Sequence, residues 1–342
     1  MVNSPADFAE LMGIAVSYQR SRALMVATEL GIADLLRDGP RPIADIAQAT
    51  HTHEPTLYRL LRALASIGVF HEDSERSFSL TPMGQFLRSD VPASVGAIAR
   101  FFGRDYHWTA WGHLLHSVRT GENASRAALG TDVWTYRERH SEENEIFNAA
   151  MAALSRAGAA QEISAYDFSR HRIIADIAGG TGALLASILR KQSASRGILF
   201  DQPHVVAAAR AVLDRAGVAD RVRIESGSFF EGVPSGADAY VMRRILHDWP
   251  DAEAVTILRC CRAAMRPDAR LLLIESVVGE PNEDPQSKFL DLVMLVSAGG
   301  RERTESEWRA VLAEGGFQLC RVHPAGPTSA VIEASPAYGG VP

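Results

Sequence analysis

The sequence predicts an α/β chain in two parts: a helical N-terminal half with a winged-helix pattern, and a C-terminal half built on an open, mainly parallel sheet. Two observations carry this. As far as about residue 165, apolar residues recur at helical spacing, most strongly in FAELMGIAVSYQRSRALMVATELGIADLL. After Asp167, short apolar strands alternate with helices at the spacing of crossover connections. A chain of 342 residues with 46% hydrophobic and 22% charged residues is globular and long enough for two domains.

Taken in order, PIADIAQATHTHEPTLYRLLRALASIGVFHEDSERSFSLTPMGQFL gives a short helix and a turn through His51 to Pro55. A longer helix from about Glu54 to Ile67 follows, then a two-stranded wing across Val69 to Leu80. Such a module can present its second helix to DNA, with Arg59 and Arg62 as contacts. That helix is dominated by Leu and Ala, and an acidic HEDSE stretch follows it, so packing or dimerisation is the better expectation. A net charge of -6 also disfavours a polyanionic partner.

From Pro92 to Gln161 the chain is helical and rich in aromatics, among them Trp108, Trp111, Trp134 and Phe147. This stretch either lines a pocket for a flat ligand or forms ordinary core, since aromatics dominate both. Trp108, Trp111, Phe147 and Met151 are its candidate ligand contacts. The grammar then changes. HRIIADIAGGTGALLASILRK and RGILFDQPHVVAAARAVLDRAG each read strand, turn, helix, and RVRIESGSFFEG, ADAYVMRRILHDW and ARLLLIESV supply further strands. Near the end come a strand around Gln318 to His323 and a last strand in SAVIEAS. The expected divisions are 1–90, 91–165, 166–336 and a tail at 337–342.

The strongest local motif is the turn from Asp176 through Gly179, Gly180 and Gly182. Glycine permits positive φ and close ligand approach, and the following helix offers free amides, so the turn suits a nucleoside-like cofactor. The spacing is not the dinucleotide GxGxxG. Asp176 is placed to accept hydrogen bonds from a cationic amino group and would repel phosphate. Asp201, ending the second strand, can accept both ribose hydroxyls, with a turn carboxylate before Pro203 as the alternative. His247 follows Ile245 and Leu246 near the end of the fourth strand, where an open α/β sheet presents its crevice. Its near-neutral reference pKa of about 6.5 suits a general base.

Together DIAGGTG, FDQP, GSFF, RRILHDWPD, LLLIES and GGRERTESEW, in this order and spacing, resemble the S-adenosylmethionine-dependent O-methyltransferases of the plant caffeate and acetylserotonin type. That family includes bacterial members that modify antibiotics and pigments. The resemblance spans the whole chain. It implies a Rossmann-like methyltransferase domain preceded by an all-helical winged-helix dimerisation domain, and a homodimer in which the partner helps close the site. It further implies cofactor contacts at Gly179, Asp201, Ser228, Phe229 and Arg243, with Ser228 standing where many members carry an acid. His247 becomes the catalytic base, with Glu275 as the better-placed carboxylate to orient its ring, Glu307 also beside it, and Asp291 and Met294 in the acceptor pocket. For Glu307 the competing expectation is a helix cap with Thr304 or Ser306, and for Met294 it is plain core. Asp248 either assists catalysis or stabilises its loop.

The implied reaction is in-line methyl transfer to a hydroxyl of a flat aromatic small molecule. Carbon or nitrogen methylation, or a non-catalytic cofactor-binding regulator, are the alternatives. A nicotinamide oxidoreductase fits the glycine spacing poorly. No metal is expected, because no carboxylate cluster in the sequence compels one. Cys260, Cys261 and Cys320 form no ligand ladder or disulfide framework. With no basic leader in MVNSPADFAELMG and no apolar run of spanning length, a cytoplasmic protein without membrane or nucleic-acid partners is expected.

Overall fold

The structure is a computed structural model and describes residues 4–91 and 94–337. The chain divides into two compact units, one of residues 1–109 and 135–156, the other of 110–134 and 157–342.

In the first unit, helices Ile43–Ala49 and Glu54–Ala65 flank the turn at His51. His51 itself takes a positive φ of 51°. Leu57, Leu61 and Leu64 recur at helical spacing, and all three are buried in a core with Ile46, Phe70 and Phe78. The two strands expected across Val69 to Leu80 are present, and a third short strand from before the helices joins their sheet. β1 (Arg41–Pro42) pairs with β3 (Ser77–Leu80), and β3 pairs antiparallel with β2 (Phe70–Glu72). Helix Pro5–Ala15 buries none of its residues; Phe8, Leu11 and Ile14 are each more than 60% exposed. Further along, Phe101, Tyr106, His107 and Phe147 surround the Arg137 guanidinium, which lies 3.8 Å from the Phe147 ring centroid.

The second unit holds a seven-stranded sheet of β4 (Ile173–Ile177), β5 (Arg196–Asp201), β6 (Val222–Ser226), β7 (Ala239–Arg243), β8 (Arg270–Glu275), β9 (Phe317–Pro324) and β10 (Ala330–Pro336), in the order β6-β5-β4-β7-β8-β10-β9. The first five strands pair in parallel, and β10 enters antiparallel between β8 and β9. Successive residues face opposite sides, as strand geometry requires. Tyr240, Leu271 and Leu273 pack with Leu258, Trp308 and Leu312 on one face, while Val241, Leu272 and Ile274 pack with Leu185, Ile188 and Leu213 on the other. Strand order reverses at β4, between β5 and β7, so the ligand crevice of such a sheet lies at the carboxyl ends of β4 and β7.

The helical stretch expected at 91–165 is not continuous in its contacts. Residues 110–134 join the sheet unit because Asn123 Nδ2 and Ser125 Oγ donate to the carbonyls of Leu295 and Val296, and Ala110, Trp111 and Ala124 pack on Val296. Pro92 and residues 338–342 of the expected tail lie outside the described residues.

Trp308 is fully buried, and its Nε1 donates to the Ser276 carbonyl at 3.0 Å. Replacing it by alanine empties a large core volume and leaves that carbonyl unpaired. Trp308→Ala is therefore expected to lower the unfolding free energy by about 3 to 5 kcal/mol in urea titration; a loss below about 1 kcal/mol contradicts its place in the core.

Candidate active site

The crevice is built by strand ends. Asp176 is buried in β4 beside the turn, where Ala178, Gly180 and Gly182 all adopt positive φ. At Gly179 a Cβ would overlap the Asp176 carboxyl and Leu199, so only glycine lets the turn pass this close. Asp176 Oδ2 is buried without a hydrogen-bond partner, and burial pushes the group up to about 7. A cation placed there would restore the carboxylate and satisfy that oxygen. At the end of β5, Asp201 accepts the Gly180 amide at 2.8 Å and the Gln202 amide at 2.6 Å, which fixes its carboxylate against the glycine turn.

After β6, Ser228 Oγ accepts the Phe230 amide at 3.3 Å, while Phe229, Phe230 and Trp249 form an edge-to-face aromatic group. Arg243 ends β7. Its Nε donates to Glu162 Oε2 at 2.6 Å, and Ser329 Oγ donates to Glu162 Oε1. These residues therefore offer a lone acid, free lone pairs for a diol, aromatic surface and a held guanidinium around one strand-end turn. The arrangement fits a nucleoside cofactor that carries a cationic amino acid.

His247 lies in the short turn Leu246–Asp248 beyond β7 and is 7% exposed. Arg244 precedes it at a φ of 56°, which redirects the chain out of the strand. Glu275, at the end of β8, accepts the amides of Ile245 at 3.0 Å and Leu246 at 2.9 Å through Oε1, so it holds the turn's backbone. Its Oε2 is 3.9 Å from His247 Nδ1. The carboxylate directly on the ring is Glu302, whose Oε1 lies 2.7 Å from Nδ1. His247 Nε2 is 3.7 Å from Asp248 Oδ1. Burial alone would lower the imidazole, but the carboxylates of Glu275, Asp248 and Glu302 outweigh it and raise the group to about 9.

Glu302 and Arg303 went unnoticed in the sequence. Both lie in GGRERT, in a segment that approaches the His247 turn so closely that a Cβ on Gly300 would overlap the His247 carbonyl oxygen. The Glu302 amide donates to Asp291 Oδ1 at 2.8 Å. Arg303, fully buried, donates to the carbonyls of Leu246 and Trp249 and to Asp251 Oδ1. Glu307, expected beside His247, is instead bound at the start of helix Glu305–Glu314, where Oε2 accepts the Thr304 amide and hydroxyl and Oε1 pairs with Arg301. Burial would raise Glu307, yet those donors hold it below the usual carboxylate range. The signal for its capping role was present in TESE.

His247, Glu275 and Glu302 each bring a donor atom within 4.8 Å of the others. At Nδ1 the pair is already a direct hydrogen bond, the geometry of proton exchange. Of the expected acceptor contacts, Trp108, Phe147 and Met151 fall in the first unit and Trp111, Asp291 and Met294 in the second. Trp108 Nε1 is buried and unpaired, and the Arg22 guanidinium lies 5.2 Å from its ring. Phe147 packs on Phe101, Met294 is 7% exposed, and Asp291 is committed to the Glu302 backbone.

A glycine turn with two strand-end carboxylates, next to a buried histidine held by a carboxylate, suits a group-transfer enzyme. Sequence comparison makes the class specific: a family profile described as the O-methyltransferase domain matches residues 111–318, and one described as the O-methyltransferase dimerisation domain matches residues 12–90. The phenazine O-methyltransferase PhzM of Lysobacter antibioticus is 42% identical over 326 residues, covering 95% of each chain. The 8-amino-8-demethylriboflavin N,N-dimethyltransferase of Streptomyces davaonensis is 41% identical, covering 98% of this chain and 99% of that one. The O-methyltransferase NcsB1 from neocarzinostatin biosynthesis, solved with S-adenosylmethionine and 2-hydroxy-5-methyl naphthoic acid, matches with a TM-score of 0.81 at 30% identity, covering 93% and 96% of the chains. The chain belongs to the S-adenosylmethionine-dependent O-methyltransferase family.

Two outcomes follow for this site. Asp201→Ala removes the carboxylate that fixes the glycine turn and is expected to weaken S-adenosylhomocysteine binding by about 1 to 3 kcal/mol in calorimetry; unchanged affinity contradicts a cofactor contact at Asp201. The His247 group is raised on folding, so its stabilisation is fully present below its unfolded pKa of about 6.5 and is lost as pH rises through about 9. The stability gap between the wild type and His247→Gln should narrow over that window. A gap that widens reverses the sign of the interaction.

Proposed function

We propose that this enzyme methylates a hydroxyl of a flat aromatic small molecule, with His247 as general base and Glu302, rather than the expected Glu275 or Glu307, as the carboxylate that orients it. The observation that carries the reading is the 2.7 Å contact between Nδ1 and Glu302 Oε1 in a buried turn at the strand end. It fixes a tautomer with Nδ1–H donating to Glu302, leaving Nε2 to receive a proton.

S-Adenosylmethionine supplies an electrophilic methyl group on a positively charged sulfur. Asp176, Asp201, Phe229 and Arg243 are the residues that would hold it, through the amino group, the ribose, the adenine and the crevice wall respectively; Gly179, Gly180, Gly182 and Ser228 shape the surface. A phenol, with a pKa near 10, is a weak nucleophile until Nε2 withdraws its proton as attack develops. The imidazolium so formed is stabilised by Glu302. Glu275 and Arg303 keep the turn in place by holding its amides and carbonyls. A cationic cofactor near the ring opposes its protonation, so the cofactor complex should titrate lower than the free enzyme.

Relatives support an aromatic acceptor: phenazine is named for one, and an aminohydroxybenzoate for a Streptomyces cremeus enzyme that is 37% identical. Within the second unit, Trp111, Asp291 and Met294 are proposed to contact that acceptor. The riboflavin-type dimethyltransferase favours a second reading, methylation of an aromatic amine. We also propose a homodimer built mainly by residues 8–90, supported by the dimerisation profile and by the exposed apolar side chains of Pro5–Ala15. Action in the cytoplasm is supported by three free cysteines, and no helix among the described residues is long and apolar enough to cross a membrane.

The test is turnover with labelled methyl donor on phenolic polyketides, hydroxyphenazines and hydroxybenzoates, with mass-spectrometric localisation of the new methyl group. O-methylation is expected, and transfer only to nitrogen or carbon overturns it. His247→Ala should lower turnover by about 100-fold to 10,000-fold while cofactor affinity persists. O-methylation that survives this change intact removes His247 from the mechanism.

A further inference from the structure

The cage behind His247 has an imbalance that the general-base reading does not use. Glu275 and Glu302 side chains are both completely buried, and in each one oxygen is satisfied: Glu275 Oε1 by two backbone amides, Glu302 Oε1 by His247 Nδ1. The other oxygen of each, Oε2, is buried without any hydrogen-bond partner. An ionised carboxylate only accepts, so two anions cannot satisfy one another. A single proton would turn one of them into a donor, and the two carboxylates bring oxygens within 4.8 Å of one another. The charge count agrees. Two carboxylates and one imidazolium leave a net negative charge in a site closed to water, and neighbouring like charges there cannot both ionise without cost.

The geometry also selects which group takes the proton. Glu302 is in direct contact with Nδ1, whereas Glu275 Oε2 stands 3.9 Å away and its other oxygen meets only neutral amides. The carboxylate that meets the ring directly is therefore Glu302. The charged neighbours of this cage are His247 and Asp248 on the turn, Arg244 at the end of β7, and Asp291 on helix Pro285–Val296, which holds the Glu302 amide. Burial pushes the Glu275 carboxyl up and the charge of Glu302 adds to it, against the pull of His247 and Arg244.

We propose that Glu275 is the neutral acid of a Glu275–Glu302 pair, its Oε2–H directed at Glu302, so that the cage behind His247 carries one negative charge instead of two. Glu275 is then a positioning residue that clamps the Ile245 and Leu246 amides with one oxygen and steadies Glu302 with the other. With Glu275 neutral, a singly charged cage still orients the ring but removes one of the charges that raise it toward about 9, so the ring binds its proton less tightly than beside two anions. This catalytic consequence rests on His247 as the base; the location of the proton does not.

The experiment uses the full chain with S-adenosylhomocysteine bound and 13C-labelled glutamate. Infrared spectra at neutral pH should contain a buried protonated-carboxyl band that disappears in Glu275→Gln. It should also disappear in Glu302→Gln, because removing the second anion lets Glu275 ionise beside His247. In the pH dependence of turnover, Glu275→Gln should leave the His247 limb where the wild type has it, while Glu302→Gln moves it to lower pH and lowers turnover by about 100-fold, the larger of the two losses. Absence of the band in the wild type, or equal displacement of the limb by both variants, overturns the proposal. Should Glu275→Gln fail to fold, the wild-type band and its response to Glu302→Gln decide the question. If His247→Ala proves fully active, the base reading fails while the band still reports the proton.

Discussion

The close passage of the backbone at Gly300 under the His247 carbonyl is the constraint on which the rest of the site depends. With no side chain at residue 300, Glu302 and Arg303 reach the turn. Glu302 meets the imidazole, and Arg303 takes the carbonyls of Leu246 and Trp249. A buried guanidinium with three separate acceptors cannot move far without leaving hydrogen bonds unmade in a site from which water is excluded. The turn is thus held from two sides, by Arg303 through its carbonyls and by Glu275 through its amides. Precision of this order matters because general-base catalysis requires the ring nitrogen to stand within hydrogen-bond reach of the acceptor hydroxyl.

The cofactor crevice obeys a different logic. Asp176 is a buried acid with an unpaired oxygen, an arrangement that is costly by itself and is relieved by a positive group beside it. Asp201 does the reverse work, since it is already engaged by the Gly180 and Gln202 amides and fixes the glycine turn in advance. One carboxylate supplies preorganisation and the other supplies demand. Both sit at the strand ends where the sheet order reverses, next to the β7 end that leads into the histidine turn.

Much of this was legible in the sequence because its signals are local. Strand, glycine turn and helix succeed one another within HRIIADIAGGTGALLASILRK, and the buried leucines of Glu54–Ala65 follow helical spacing. The parts that escaped are non-local. β1 has two residues, one of them proline, so it has no periodicity to read and exists only through its pairing with β3. Residues 110–134 join the sheet unit through side-chain contacts with the Leu295 and Val296 carbonyls, about 170 residues away. Glu302 lies in a motif whose third acid, Glu307, is the one that the resemblance places beside His247. Only the fold shows that the capping box consumes Glu307 and that the glycine pair delivers Glu302.

The central claim is that His247 withdraws the acceptor's proton as the new bond forms. The most direct measurement is turnover across a series of phenolic acceptors of graded acidity, compared between the wild type and His247→Ala. An enzyme-supplied base makes the wild-type rate nearly indifferent to acceptor pKa, whereas the variant must rely on phenols that ionise unaided and should fall steeply as acceptor pKa rises. Parallel dependence in the two enzymes would mean that the proton leaves by another route, and would contradict the account.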